Sequence, residues 1–146
     1  MIKVQVYKTT DNELPSYSKQ GDAGKDVRAS EAFTVHPGHT ALIKTGIHAA
    51  IPKGYEIQVR PRSGLSVNTK LRVANTPGTI DSNFRGELCV IMDNIGTEPI
   101  IIRKGDRVAQ LVLAVVPVWD WNLVGSLELL GDTNRGINGF GSTGIQ

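Results

Sequence analysis

Residues 55–60, Tyr55-Glu56-Ile57-Gln58-Val59-Arg60, carry an aromatic or branched side chain at every second position. A period of two fits a strand with one buried face; a helix repeats its apolar stripe at about 3.6 residues. Strand-like patterning continues outward in both directions. Ile2, Val4 and Val6 alternate with Lys3 and Gln5. Leu88–Met92 and Pro99–Ile102 are short continuous apolar runs suited to buried strands. Arg107–Val118 is a longer, valine-rich candidate with Pro117 near its end. Turn residues punctuate the gaps: Pro37-Gly38, Pro52-Lys53-Gly54, Pro77-Gly78, Asn94–Gly96 and Lys104-Gly105. No region offers two or three clean helical turns, and only Gly64–Lys70, after Ser63, reads as a short helix. Many short strands with frequent turns predict an all-β domain: a sandwich, jelly roll or barrel.

At 146 residues the chain has room for one ordinary domain with a full core. No stretch approaches the roughly 18 apolar residues of a membrane span, and the N-terminus lacks the apolar centre of a signal peptide. Cys89 is the one cysteine, which excludes an internal disulfide framework and a cysteine-built zinc site and points to a reducing, cytoplasmic compartment. Sixteen basic against fourteen acidic residues give a net charge of +2, too balanced for a general nucleic-acid binder. Glycine is enriched, at 16 residues. Five of these fall in residues 131–146, where only Ile137, Phe140 and Ile145 are large and apolar. Such a segment cannot build a core. The chain thus divides into a β domain, 1–130, and a glycine-rich C-terminal arm, 131–146. The arm reads either as a frayed end or as a cover for a charged aromatic ligand, with Arg135 as anion partner and Phe140 as stacking surface.

Four other segments carry polar chemistry. Pro61-Arg62-Ser63-Gly64 follows a strand candidate; an arginine and a hydroxyl beside free backbone N–H groups hold phosphate oxygens, or form a solvated turn. In residues 75–86, NTPGTIDSNFRG, two turn segments bracket Ile80-Asp81 as in a tight hairpin. There Asn75 offers a donor and an acceptor to a base edge, Phe84 a surface for a sugar or a core, and Asp81 a carboxylate able to orient and deprotonate water or to cap a turn. In Asp22–Ala29, DAGKDVRA, Asp26 suits a Mg²⁺ ion reached through water, or a salt bridge with Lys25 or Arg28. Gln110 lies among Val108, Ala109, Leu111 and Val112 and, if buried, needs hydrogen-bond partners. His36, His39 and His48 show no metal spacing. Ser63 has no adjacent base to make it a nucleophile. Trp119 and Trp121, two apart on a strand, would share a face for packing or a subunit contact.

Together five segments resemble the trimeric deoxyuridine triphosphatases, in that family's order: DAGKDVRA at 22–29, PRSGLSV at 61–67, NTPGTIDSNFRGE at 75–87, KGDRVAQL at 104–111 and RGINGFGSTG at 135–144. The resemblance implies a jelly-roll-like β-barrel subunit of a homotrimer, with a flexible C-terminal arm and an active site at each subunit boundary. It implies hydrolysis of dUTP to dUMP and pyrophosphate with Mg²⁺, by in-line water attack on the α-phosphorus. Asp81 would orient the water and act as base. Asn75 with the Gly78, Thr79, Ile80 and Asp81 backbone would read uracil, and Phe84 would lie against the deoxyribose. Ser63 would act catalytically by donating to the leaving side near the α–β bridge, Arg62, Gly64 and Gln110 would hold phosphate oxygens or the water network, and Asp26 would reach Mg²⁺ through its water. Arg135 would offset transition-state charge, Phe140 would stack on uracil, and Gly141, Ser142 and Thr143 would contact the γ-phosphate. It also implies a cytoplasmic enzyme, or one in the host cytoplasm if viral, with no membrane or nucleic-acid partner.

Two residues depart from the family pattern. Phe84 stands where tyrosine is usual, and Lys25 where an aromatic residue is common. A dCTP deaminase, similar in fold, would carry a catalytic glutamate where Ile91 stands, and an aliphatic side chain cannot transfer protons. A dUTP-responsive regulatory protein would share the binding residues without needing Asp81 as a base. A purely structural jelly roll would need neither, and leaves Arg62, Ser63, Asp81, Arg135 and Phe140 without a common role.

Overall fold

Strand Thr40–Ala50 follows strict alternation up to Lys44, buried and exposed by turns, and then breaks it: Thr45, Gly46 and Ile47 are buried in succession. A computed structural model describes residues 1–139 of the chain and explains the break as a bulge. The register with Glu87–Asn94 steps from Lys44↔Cys89 to His48↔Glu87, so the first strand carries extra residues there. Gly46 sits at φ +69°, a conformation that favours glycine. Glu87 Oε1 accepts the N–H groups of Thr45 (3.1 Å) and Gly46 (2.7 Å), and the Gly46 carbonyl accepts Thr9 N–H (2.8 Å). The buried Thr45 hydroxyl donates to Leu88 O. Backbone groups released by the bulge are thereby paired.

Among the described residues ten strands follow in chain order: β1 Gln5–Lys8, β2 Lys25–Arg28, β3 Phe33–Val35, β4 Thr40–Ala50, β5 Tyr55–Arg60, β6 Leu71–Val73, β7 Gly78–Ile80, β8 Glu87–Asn94, β9 Ile100–Ile102 and β10 Arg107–Val115, with a short α-helix, α1 Ser63–Asn68, and a 3-10 turn at Leu127–Leu130. One sheet has the order β1-β4-β8-β6, a second β2-β10-β5-β7, and β3 pairs with β9. Every pairing is antiparallel. No strand pairs with its neighbour in sequence; the chain changes sheet at each connection. This is an all-β, jelly-roll-like body, as the alternation at 55–60 implies. Val27, Ile43, Leu88, Val90, Met92 and Val108 lie at its centre with almost no exposure. The buried Asn94 amide ties β8 to its surroundings by donating to Val35 O (2.9 Å) and Glu98 O (2.7 Å).

Four local expectations are corrected. The hairpin around Ile80-Asp81 is not one: β7 pairs with β5 in the second sheet and β8 with β4 and β6 in the first. Residues 74–86 therefore cross between sheets, by way of a cis Thr76–Pro77 peptide. The long strand stops at Val115, short of Pro117, and the Val116 N–H instead bonds Gly54 O. Trp119 and Trp121 lie beyond it in no strand, exposed, with rings in edge contact at 4.6 Å. Of the alternating Ile2, Val4 and Val6, Val4 packs against the core while Ile2 and Val6 are exposed, and with Leu14, Pro15 and Tyr17 they line an open apolar groove.

Because Glu87 closes two otherwise unpaired N–H groups of β4, Glu87→Ala is expected to lower stability to urea by about 2 kcal/mol. Glu87→Gln, which keeps an acceptor oxygen, is expected to lose less.

Candidate functional site

The crossing segment 74–86 forms one wall of a cleft of about 370 Å³ whose lining includes Asn75, Gly78, Thr79, Ile80, Asp81, Phe84, Val59, Leu42, Cys89 and Ile91. That volume suits a nucleoside-sized ligand. Its polar groups come from the crossing segment and from Glu87 at the start of β8, and its apolar floor from β8 and β4. Asp81 opens a tight turn in which Phe84 N–H bonds Asp81 O (3.1 Å). Arg85 braces the turn by donating from Nη1 to Ser82 O and Phe84 O, both 2.7 Å. His48 Nδ1–H donates to Arg85 O (3.1 Å). Among the described residues nothing hydrogen-bonds the exposed Asp81 carboxylate. It therefore does not cap its own turn and is available to a water. Phe84 is 42% exposed, so it fills no core and presents a ring surface to the cleft. Its ring lies over Gly86, where any Cβ would collide with it.

A second cluster forms where β5 ends. Pro61-Arg62 folds over β10 and reaches β2. Gln110 donates to Pro61 O (2.9 Å), so neighbouring backbone satisfies this half-buried amide. Arg62 Nε donates to Asp26 Oδ1 at 2.9 Å, and Arg107 Nη1 lies 3.4 Å from Asp26 Oδ2. The carboxylate is thus paired with Arg62 and Arg107, in place of the expected Lys25 or Arg28. Lys25 instead holds its ammonium 4.7 Å over the Tyr17 ring, and Arg28 donates to Gly105 O (2.7 Å). Gly24 leaves the space that the Gln110 carboxamide occupies. Arg28, Arg62 and Arg107 line a cleft of about 400 Å³, a cationic surface for phosphate oxygens. Ser63 and Gly64 are exposed at the start of α1, which has no side-chain cap.

The two clusters face opposite ways. Asp26, Gln110 and Arg60 are opposed across neighbouring strands and so project to one face of the sheet. Val59, the next residue along β5, projects to the other face and lines the first cleft. The two clefts share no lining residue. Arg135 is exposed, donates to Asn138 O (2.9 Å) and lines neither cleft. Phe140, Gly141, Ser142 and Thr143 lie outside the described residues.

Among the described residues no three His, Cys, Asp or Glu side chains come together to hold a metal. Asp26 has both its oxygens engaged by Arg62 and Arg107, and Asp106, which lines the arginine cleft, accepts the Arg103 N–H. This donor set fits a Mg²⁺ ion that brings most of its ligands with a polyphosphate, and not one caged by protein.

Several contributors carry no local sequence signal. Arg107 lies inside the KGDRVAQL segment, yet only the β2–β10 register brings it to Asp26. Glu87 is marked by nothing beyond its place after the turn. Cys89 is half-buried and lines the first cleft. Burial pushes its pKa up, with the nearby Glu87 charge adding to the effect.

The sequence model of the dUTPase family matches residues 10–144. A deoxyuridine 5'-triphosphate nucleotidohydrolase of Desulfotalea psychrophila is 51% identical over 134 residues, covering 90% of this chain and 87% of its own. A glycine-to-serine mutant of Staphylococcus bacteriophage 80alpha dUTPase, solved with dUpNHpp, superposes with a TM-score of 0.87 at 27% identity, covering 99% of this chain and all of that one. An aspartate-to-asparagine mutant of the dUTPase from phage phi11 of S. aureus, whose structure details the coordination of a structural Mg(II) ion, gives 0.80 at 25% identity over 87% of this chain and 99% of that one. From its matching segments, its two-sheet body and a relative identical at half of the aligned positions, this chain belongs to the dUTPase family.

Proposed function

We propose that this chain hydrolyses dUTP to dUMP and pyrophosphate, limiting uracil in DNA and supplying dUMP for thymidylate synthesis. The observation that carries this reading is the first cleft. It joins a base-reading amide, Asn75, an unpaired carboxylate, Asp81, and an exposed ring, Phe84, on one wall. Asn75 and the Gly78–Asp81 backbone read the uracil edge, and cytosine is refused because its amino group donates where uracil accepts. Phe84 lies against the deoxyribose and crowds a 2′-hydroxyl. Asp81 orients a water for in-line attack on the α-phosphorus and takes its proton.

Phosphate oxygens are held by Arg62, Gln110, Ser63 and Gly64. Arg62 exchanges part of its contact with Asp26 for phosphate, and Arg107 remains to balance the carboxylate. Asp26 would reach, through water, a Mg²⁺ ion held mainly by the triphosphate, and the ion would supply charge neutralisation for the leaving pyrophosphate. The phage phi11 relative coordinates a structural Mg(II) ion. Arg135 offsets transition-state charge, and residues 131–146 are the arm that closes over the site, with Phe140 on uracil and Gly141, Ser142 and Thr143 at the γ-phosphate.

The working unit is a homotrimer with a site at each boundary. Its support is the division of one chain's clusters between opposite faces, so that each half needs a complement from another copy. Beyond β10, Val118, Trp119, Trp121, Leu123, Leu127 and Leu130 are all strongly exposed, as a segment awaiting a neighbouring subunit would be. Among the described residues no helix is long and apolar enough to cross a membrane, and the cytoplasm, or a host's cytoplasm, is the proposed compartment.

Pyrophosphate release with Mg²⁺ is expected from dUTP far above dCTP, dTTP and UTP; release from none of them would overturn the enzymatic reading. Asp81→Asn is expected to lower turnover by between about a hundredfold and ten-thousandfold while a non-hydrolysable dUTP analogue still binds. Ending the chain at residue 130 is expected to abolish most turnover and leave the β body folded; unchanged kinetics would make the last 16 residues a frayed end.

A further inference from the structure

Gly86 ends the turn that begins at Asp81. It is not among the glycines with positive φ, so its backbone conformation does not itself call for glycine. The Phe84 ring does. A Cβ built on Gly86 would stand 2.9 Å from Phe84 Cε2, 3.2 Å from Cε1 and nearer still to Cζ. Carbon atoms in contact keep about 3.5–4.0 Å apart. The ring therefore rests on bare backbone.

That platform cannot yield, because both flanking residues are pinned. His48 holds the Arg85 carbonyl at 3.1 Å, and the Glu87 carboxylate is held by Gly46 N–H at 2.7 Å. Phe84 has no hydroxyl through which a hydrogen bond could fix its position, so contact alone sets where the ring stands. With a side chain at position 86, the ring is what must move.

We propose that Gly86 is a specificity-determining positioning residue: by carrying no side chain it seats the Phe84 ring at the depth from which the ring excludes a 2′-hydroxyl. This rests on the dUTP reading above and extends it to a residue that touches no substrate. A ring displaced by a methyl group meets the sugar badly, so dUTP loses affinity, and UTP is no longer selected against to the same degree.

The test is steady-state hydrolysis of dUTP and UTP by the wild-type chain, Gly86→Ala, Phe84→Ala and the double variant, each with a melting curve. Gly86→Ala is expected to lower kcat/KM for dUTP by about tenfold or more, mainly through KM, and to narrow the preference for dUTP over UTP. In the Phe84→Ala background the ring is gone, so adding Gly86→Ala is expected to change kcat/KM by less than about twofold. Equal losses on dUTP and UTP, or additive losses in the double variant, would overturn the role of Gly86 and leave the dUTP reading intact. If Gly86→Ala does not fold, recovery of folding in the double variant upholds ring clearance, and failure of both refutes it. A wild-type chain inactive on dUTP takes the dUTP reading and this proposal down together.

Discussion

Glu87 Oε1 accepts the backbone N–H groups of Thr45 and Gly46, and the site depends on that clasp. On one side it closes the bulge in β4, which lets a single strand pair with β8 through Lys44 and again at His48, and with β1 from Ile47 onward. On the other it anchors the first residue after the turn that carries Asp81, Phe84 and Gly86. A carboxylate receiving two amide N–H groups is a charge-assisted contact, stronger than a ladder bond between neutral groups. The same acidic group also lies near Cys89 and raises its pKa. A bend in the core sheet and the placement of the candidate base therefore share one fixed point.

Division of the site follows from the pleat. Successive residues of a strand face opposite sides, so Arg60 and Val59 cannot serve the same cleft. Arg60 stands opposite Gln110, and Gln110 opposite Asp26, on the cationic side; Val59 stands opposite Gly78 and borders the cleft with Asp81. A ligand carrying a base at one end and phosphates at the other needs both kinds of surface on the same side. In the proposed trimer, symmetry meets that need by setting one subunit's base cleft against the next subunit's arginines. The apolar groove along Ile2, Val4 and Val6 and the exposed residues after β10 are further surfaces that a lone chain leaves uncovered.

Sequence reasoning reaches the fold where the signal is local. Alternation at Tyr55–Arg60 needs only neighbouring residues and is where the pattern puts it, and the short helix expected over Gly64–Lys70 is present over Ser63–Asn68. It fails where pairing is distant. Ile80-Asp81 looks like a hairpin tip because turn residues flank it, yet among the described residues no two consecutive strands pair, so a turn does not imply a ladder between its arms. The salt-bridge partners of Asp26 are expected among its neighbours and come from 36 and 81 residues away. The bulge at Thr45–Ile47 breaks alternation in a way that sequence does not distinguish from a strand end. Asp81, Phe84 and Asn75 are legible as chemistry, and their shared cleft depends on a crossing between sheets that no motif encodes.

The central claim is that a complete site joins the Asp81 face of one copy to the Arg62 face of another. Complementation tests it most directly: Asp81→Asn and Arg62→Ala chains, each inactive alone, are co-expressed, purified as mixed trimers and assayed for pyrophosphate release from dUTP. The account predicts recovery to about one third of the wild-type rate, because each mixed cyclic trimer holds one boundary of its three that pairs two intact faces. No recovery in verified mixed trimers would contradict it and place both faces of each working site within a single chain.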